Sequence, residues 1–191
     1  MTVSAIPLAR WRWYPLLHAL LFQLGWFVCV DGAAHGDLLR GPLAVALVAL
    51  VHLLAMRFPA DELRLMGGAM MIGVLGDSLL GAGGAVIAAP FDDRVAPFWL
   101  LSLWALFAST LHTCCRWLLR WVLLGCCCGA IAGPCCYLAA EHLGALRFPA
   151  GTTRALCAVA LEWSLAMPML ILWTRRIDDL RLKARLRAAD A

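Results

Sequence analysis

The sequence predicts an all-α integral membrane bundle of about six transmembrane helices, and three observations predict it. Of 191 residues, 63% are hydrophobic and 15% charged, whereas a soluble domain holds roughly half and roughly a quarter; the mean hydropathy is +0.83. Six apolar stretches are long enough to cross about 30 Å of hydrocarbon at about 1.5 Å per residue. Between those stretches, the basic residues fall mostly on one side.

The stretches cover residues 14–30, 42–58, 63–84, 95–113, 117–140 and 155–174. Helices are required because lipid offers the backbone no hydrogen-bond partner, and continuous runs of this length do not resemble the short alternating strands of a barrel. With the N-terminus inside, the inner set holds Arg10, Arg12, Arg57, Arg64, Arg116, Arg120, Arg175, Arg176, Arg181, Lys183, Arg185 and Arg187. The outer set holds only Arg40, Arg94, Arg147 and Arg154. That asymmetry predicts a multi-pass protein of a bacterial inner membrane with both termini cytoplasmic. The net charge of +4 needs no nucleic acid to explain it.

Trp11, Trp13 and Tyr14 precede the first span and read as headgroup anchors, as do Trp117 and Trp121 at the fifth and Trp173 at the sixth. No small-residue cleavage site follows the first apolar run, so this span is expected to remain as a signal anchor. It carries Gln23. The third span is loosened by Gly67, Gly68, Gly73, Gly76, Gly81, Gly83 and Gly84 and contains Asp77 beside Ser78. A carboxylate at mid-membrane costs about 2.5 to 3.5 kcal/mol even on lenient scales, so Asp77 should be protonated, paired or facing a wet cavity.

The fourth span carries Ser102, Ser109 and Thr110 and ends near His112, which reads as an interfacial hydrogen-bonding group. In the fifth, Gly125, Gly129 and Gly133 repeat every four residues and form a small-residue seam, with Pro134 expected to kink the helix. Its partner is either another helix of this bundle or a second copy. The sixth span holds a second carboxylate, Glu162, beside Trp163 and before Pro168. Residues 1–174 thus read as one transmembrane domain, and residues 175–191 as an amphipathic cytoplasmic tail held partly by anionic lipid.

The nine cysteines include Cys126, Cys127 and Cys128, but no Cys-x-x-Cys occurs and successive helix positions point about 100° apart, so small apolar packing is expected rather than a metal or redox centre. At the outer rim Asp31, His35, Asp37, Asp92, Asp93, Glu141 and His142 read as solvated loop residues. No cofactor is implied. The stretches 52–64 and 142–154 agree at eight of thirteen positions, an echo that predicts a three-plus-three repeat with inverted halves.

The segments Leu21-Phe22-Gln23-Leu24-Gly25-Trp26-Phe27, Gly76-Asp77-Ser78-Leu79, Trp104 to Leu111, Arg116-Trp117-Leu118 and Gly133-Pro134 with Tyr137 before Leu143-Gly144-Ala145 resemble a bacterial inner-membrane family known as domain of unknown function 2878. The resemblance covers nearly all of the chain except the tail. It implies a compact multi-pass protein standing alone as a domain, and it carries over no catalytic residue. It also implies company with lipid-modifying genes.

Three functions follow as expectations. The first is a small permease or lipid-handling protein, with Asp77 and Glu162 facing a central cavity and Gln23 and His112 as further binding or proton-coupling groups; its substrate would be a lipid or small molecule. The second is a non-transporting scaffold whose glycine face and basic tail bind membrane partners. The third is a membrane-embedded lipid enzyme, for which His112 or the outer His and carboxylate set would have to converge; no nucleophile elbow, phosphate loop or metal-binding helix motif supports it.

Overall fold

A computed structural model of the chain describes residues 12–91 and 94–190; Arg10, Trp11, Asp92 and Asp93, used above, lie outside the described residues. Among the described residues six α-helices run α1 Tyr14–Ala34, α2 Arg40–Ala55, α3 Pro59–Ala82, α4 Phe98–Ala108, α5 Val122–His142 and α6 Thr152–Ala189. α1, α3, α5 and α6 are long and apolar enough to cross a membrane, whereas α2 and α4 are shorter apolar helices. The outward surface is largely leucine, with Leu20 and Leu24 on α1, Leu47 and Leu54 on α2, Leu75 and Leu79 on α3 and Leu161 and Leu165 on α6 all exposed. Such a belt suits a bundle solvated by lipid.

Helix boundaries depart from the hydropathy reading for local reasons. α2 stops at Ala55, where Met56 turns to an extended conformation, and Pro59 then opens α3. α4 is shorter than its apolar stretch: it ends at Ala108, and tighter turns follow in which the Thr110 N–H donates to the Phe107 carbonyl at 2.9 Å and the Leu111 N–H to Ala108 at 3.1 Å. A 3-10 helix at Arg116–Arg120 then leads into α5. Two elements were not foreseen, the short strands β1 (Ile87–Ala88) and β2 (Leu146–Arg147), which pair antiparallel with Ile87 opposite Arg147. They tie the α3–α4 connection to the α5–α6 connection at the rim expected to be outer.

The glycine seam has its partner within the chain. Gly125 meets Ile171, Gly129 meets Met167 and the backbone of Trp163, and Gly133 meets the Trp163 side chain. α5 therefore lies along α6 at these glycines. α5 and α6 both continue through their prolines, Pro134 and Pro168. The tail is a continuation of α6: Ile177 is buried against the bundle, while Leu180 and Leu186 are exposed.

The two echoed stretches adopt different structures. The first is a helix end, a turn and the start of α3, whereas the second contains strand β2 before α6 begins. α5 and α6 pack along their length, α2 and α3 touch little, and α1 packs broadly on α2. The helix pairing therefore differs between the two halves, because only α5 carries a glycine seam.

Candidate functional site

The centre of the bundle is built around Asp77. Both its oxygens are engaged: the Trp104 indole donates to Oδ2 at 2.7 Å, and the Tyr137 hydroxyl donates to Oδ1. Gly73, one turn earlier on α3, lets the Trp104 ring lie against the helix backbone, since a Cβ there would overlap the indole. Trp104 in turn stacks on Trp163 of α6, with centroids 4.6 Å apart, and Phe107 meets Trp163 edge-on at 5.2 Å. Burying a polar group costs free energy unless its hydrogen bonds are satisfied. Here three helices, α3, α4 and α5, converge to satisfy one carboxylate.

On the far side of these rings lies an apolar cavity of about 210 Å³. Phe22, Trp26, Trp99, Trp104, Phe107, Tyr137 and Trp163 line it together with Val30, Leu100, Leu103 and Leu146. Both donors to Asp77 are thus wall residues, so a ligand pressing on the cavity wall presses on the groups that hold the carboxylate. Aliphatic and aromatic walls with few polar atoms suit the apolar part of a ligand.

Glu162 sits on the neighbouring face of α6. Its carboxyl occupies the space where Gly76 lacks a side chain. Both its oxygens are buried and have no hydrogen-bond partner among the described residues. It opens onto a groove of about 410 Å³ between α3 and α6. Trp163, the next residue, forms part of the cavity wall.

A second polar cluster lies at the basic rim. Glu62 is 1% exposed and accepts from His52 Nε2 at 3.0 Å and from His112 Nδ1 at 2.8 Å. His52 Nδ1 is 3.3 Å from the Tyr14 hydroxyl, so the imidazole donates to Glu62 and accepts from Tyr14. The His18 ring lies 4.7 Å from that of His52. Its Nε2 is 2.9 Å from Ser109 Oγ, whose own proton goes to Leu106. His112 Nε2 stands 3.6 Å from Asp178 on α6, and Arg181 bridges Asp178 and Asp61. The network ties the first turn of the tail to α3. Among the described residues no group of three His, Cys, Asp or Glu is arranged to hold a metal ion.

The sequence-predicted residues therefore separate. Asp77 and Glu162 share the middle of the bundle, on adjacent faces of the α3–α6 junction. His112 joins the rim cluster instead, and Gln23 is exposed on the outer surface of α1. Trp13, Trp117, Trp121 and Trp173 are exposed, whereas Tyr14 is 2% exposed and belongs to the rim network rather than to the anchors. The outer-rim groups pair locally: Arg40 and His35 with Asp31, Asp37 with the α2 N-terminus, and His142 with Glu141.

Sequence reasoning missed Trp104 and Tyr137 as partners of Asp77, and His18, His52 and Glu62 as a buried set. A signal for the second existed. His52, Glu62 and His112 all stand at span ends that the charge asymmetry places on one rim. Nothing comparable marks Trp104, which is one tryptophan among nine.

Comparison with known proteins places the chain in a family. The family described as Protein of unknown function (DUF2878) matches residues 15–169, and the chain belongs to it. No curated protein and no solved structure matches the chain.

Proposed function

For a member of this family, whose description assigns no activity, we propose a lipid-handling role: a multi-pass inner-membrane protein that receives the apolar portion of a lipid or lipid-like substrate in the aromatic cavity. The observation that carries this reading is the position of the cavity directly against Trp104 and Tyr137, the two donors that hold Asp77. An acyl or isoprenoid chain filling about 210 Å³ would contact the same rings that donate to the buried carboxylate. Ligand entry is thereby coupled to the state of Asp77. The twelve-to-four division of basic residues supports cytoplasmic termini.

The test is tryptophan quenching in nanodiscs containing lipids brominated along the acyl chain. Exposed surface tryptophans also report such lipids, so each spectrum is compared with that of a Leu103→Trp variant, which fills the cavity. Quenching of the cavity tryptophans that is lost in the filled variant supports the reading. Equal quenching in both proteins refutes it. Orientation is tested separately with alkaline phosphatase fused after Ala189 and, in another chain, at Gly36; activity only at Gly36 is expected.

One observation favours a second reading. Asp77 already has a partner for each oxygen, as expected of a dry core in a scaffold whose exposed tail binds other proteins of a lipid-modification pathway. The enzyme reading needs His112 or the outer His and carboxylate set to converge; His112 instead bonds Glu62, and the described outer groups pair locally.

A further inference from the structure

We infer that the groove between α3 and α6 is a binding site for a lipophilic organic monocation, with Glu162 as its counter-ion. This goes beyond the lipid-handling proposal and concerns a different opening. The central cavity lies on the Trp163 side of α6, and the groove on the Glu162 side.

Three features carry the inference. Leu75 and Leu79 of α3 face Ala158, Leu161, Leu165 and Met169 of α6 across a groove of about 410 Å³, a size that takes a small amphiphile. Leu75, Leu79, Leu161, Leu165 and Met169 are exposed on the outward surface, so the groove opens sideways, toward the lipid. At its floor lies a carboxyl whose two buried oxygens have no hydrogen-bond partner among the described residues, unlike Asp77, each of whose oxygens accepts a bond.

Chemistry selects the occupant. A carboxylate among aliphatic side chains carries its charge only when a cation faces it. An ordinary phospholipid brings its charge to the headgroup level, not to the middle of a helix. An anion would find no counter-charge there, and a neutral chain would leave the carboxyl unanswered. A delocalised or alkylated cation loses little hydration on entering hydrocarbon and pairs with Glu162 there. Gly76 matters to the geometry because any side chain at that position would displace the carboxyl from the groove floor.

The experiment uses the full chain in nanodiscs and two ions of the same shape and opposite charge, tetraphenylphosphonium and tetraphenylborate. Saturable binding of the phosphonium, with proton release into a weakly buffered medium, is expected; the borate should not bind, and Glu162→Gln should weaken the phosphonium at least tenfold. Equal binding of both ions, or undiminished phosphonium binding by Glu162→Gln, overturns the inference. Absence of phosphonium binding by the parent chain overturns it as well.

Should Glu162→Gln fail to fold, the parent protein decides. Dicyclohexylcarbodiimide, which attacks carboxyl groups from the lipid phase, should modify Glu162, and phosphonium should slow that reaction. Modification at an unchanged rate refutes the site. Quenching by brominated lipid in the central cavity is a separate readout, so failure of either proposal leaves the other measurable.

Discussion

Trp104 donates its indole N–H to Asp77 at 2.7 Å while its ring stacks on Trp163 at 4.6 Å. One side chain thus joins the carboxylate of α3 to the cavity wall of α6. A hydrogen bond to a charged group contributes about 1.5 to 3 kcal/mol, so Trp104→Phe should destabilise the protein by about that amount in thermal unfolding in detergent. Tyr137→Phe should do the same. The double variant should lose a different amount from the sum, because both donors serve one carboxylate. Additive losses would mean that the two bonds are independent of each other.

Two glycines of α3 separate packing from helix propensity. A Cβ at Gly73 would overlap Trp104, whereas one at Gly67 meets nothing within 4 Å. Gly73→Ala should therefore cost about 1 to 3 kcal/mol through overpacking, and Gly67→Ala should stabilise by about 0.5 to 1 kcal/mol through helix propensity. Unfolding midpoints that move in the same direction would contradict the packing at Trp104.

The rim network predicts unequal roles for its acids. Glu62 is 1% exposed and holds two imidazoles, so Glu62→Ala should cost about 3 to 5 kcal/mol, as expected when one member of a buried charged set is removed. Asp178 is partly solvated, and Asp178→Ala should cost less than about 1 kcal/mol. The smaller change should nonetheless speed limited proteolysis of the tail, since Asp178 links α6 to His112 and holds Arg181, which reaches Asp61 of α3. Equal stability losses would show that burial does not distinguish them.

The internal seam makes a prediction about assembly. A Cβ on Gly129 would stand 2.6 Å from the Trp163 carbonyl oxygen, so Gly129→Leu should lower the unfolding midpoint and leave the oligomeric state unchanged by light scattering. A shift in oligomeric state without loss of stability would return the seam to a second copy.

Much of the fold was legible in the chain, and the site was legible in part. Asp77 and Glu162 stood out because charge in an apolar run is costly wherever it occurs, and that argument requires no knowledge of neighbours. The shortened α4 was not legible, because Ser109 and Thr110 are as compatible with a continuing helix as with the turns they form. Tyr14 was misplaced for a related reason: a tyrosine at a span end serves as an anchor or as a buried hydrogen-bonding group, and only the position of His52 on α2 decides between them.

The sequence by itself determined the all-α class, the order of the apolar segments and which of them carry the two buried carboxylates, because hydropathy and charge accumulate along the chain and are read locally. The tertiary structure alone decided which polar groups meet. These helices are apolar on the lipid side as well as inside, so residue type does not reveal which face turns inward. Pairs such as His18 with Ser109, Tyr137 with Asp77 and Glu162 with the space at Gly76 come from the rotation of each helix about its axis, which is set by glycine gaps and aromatic stacking across the bundle.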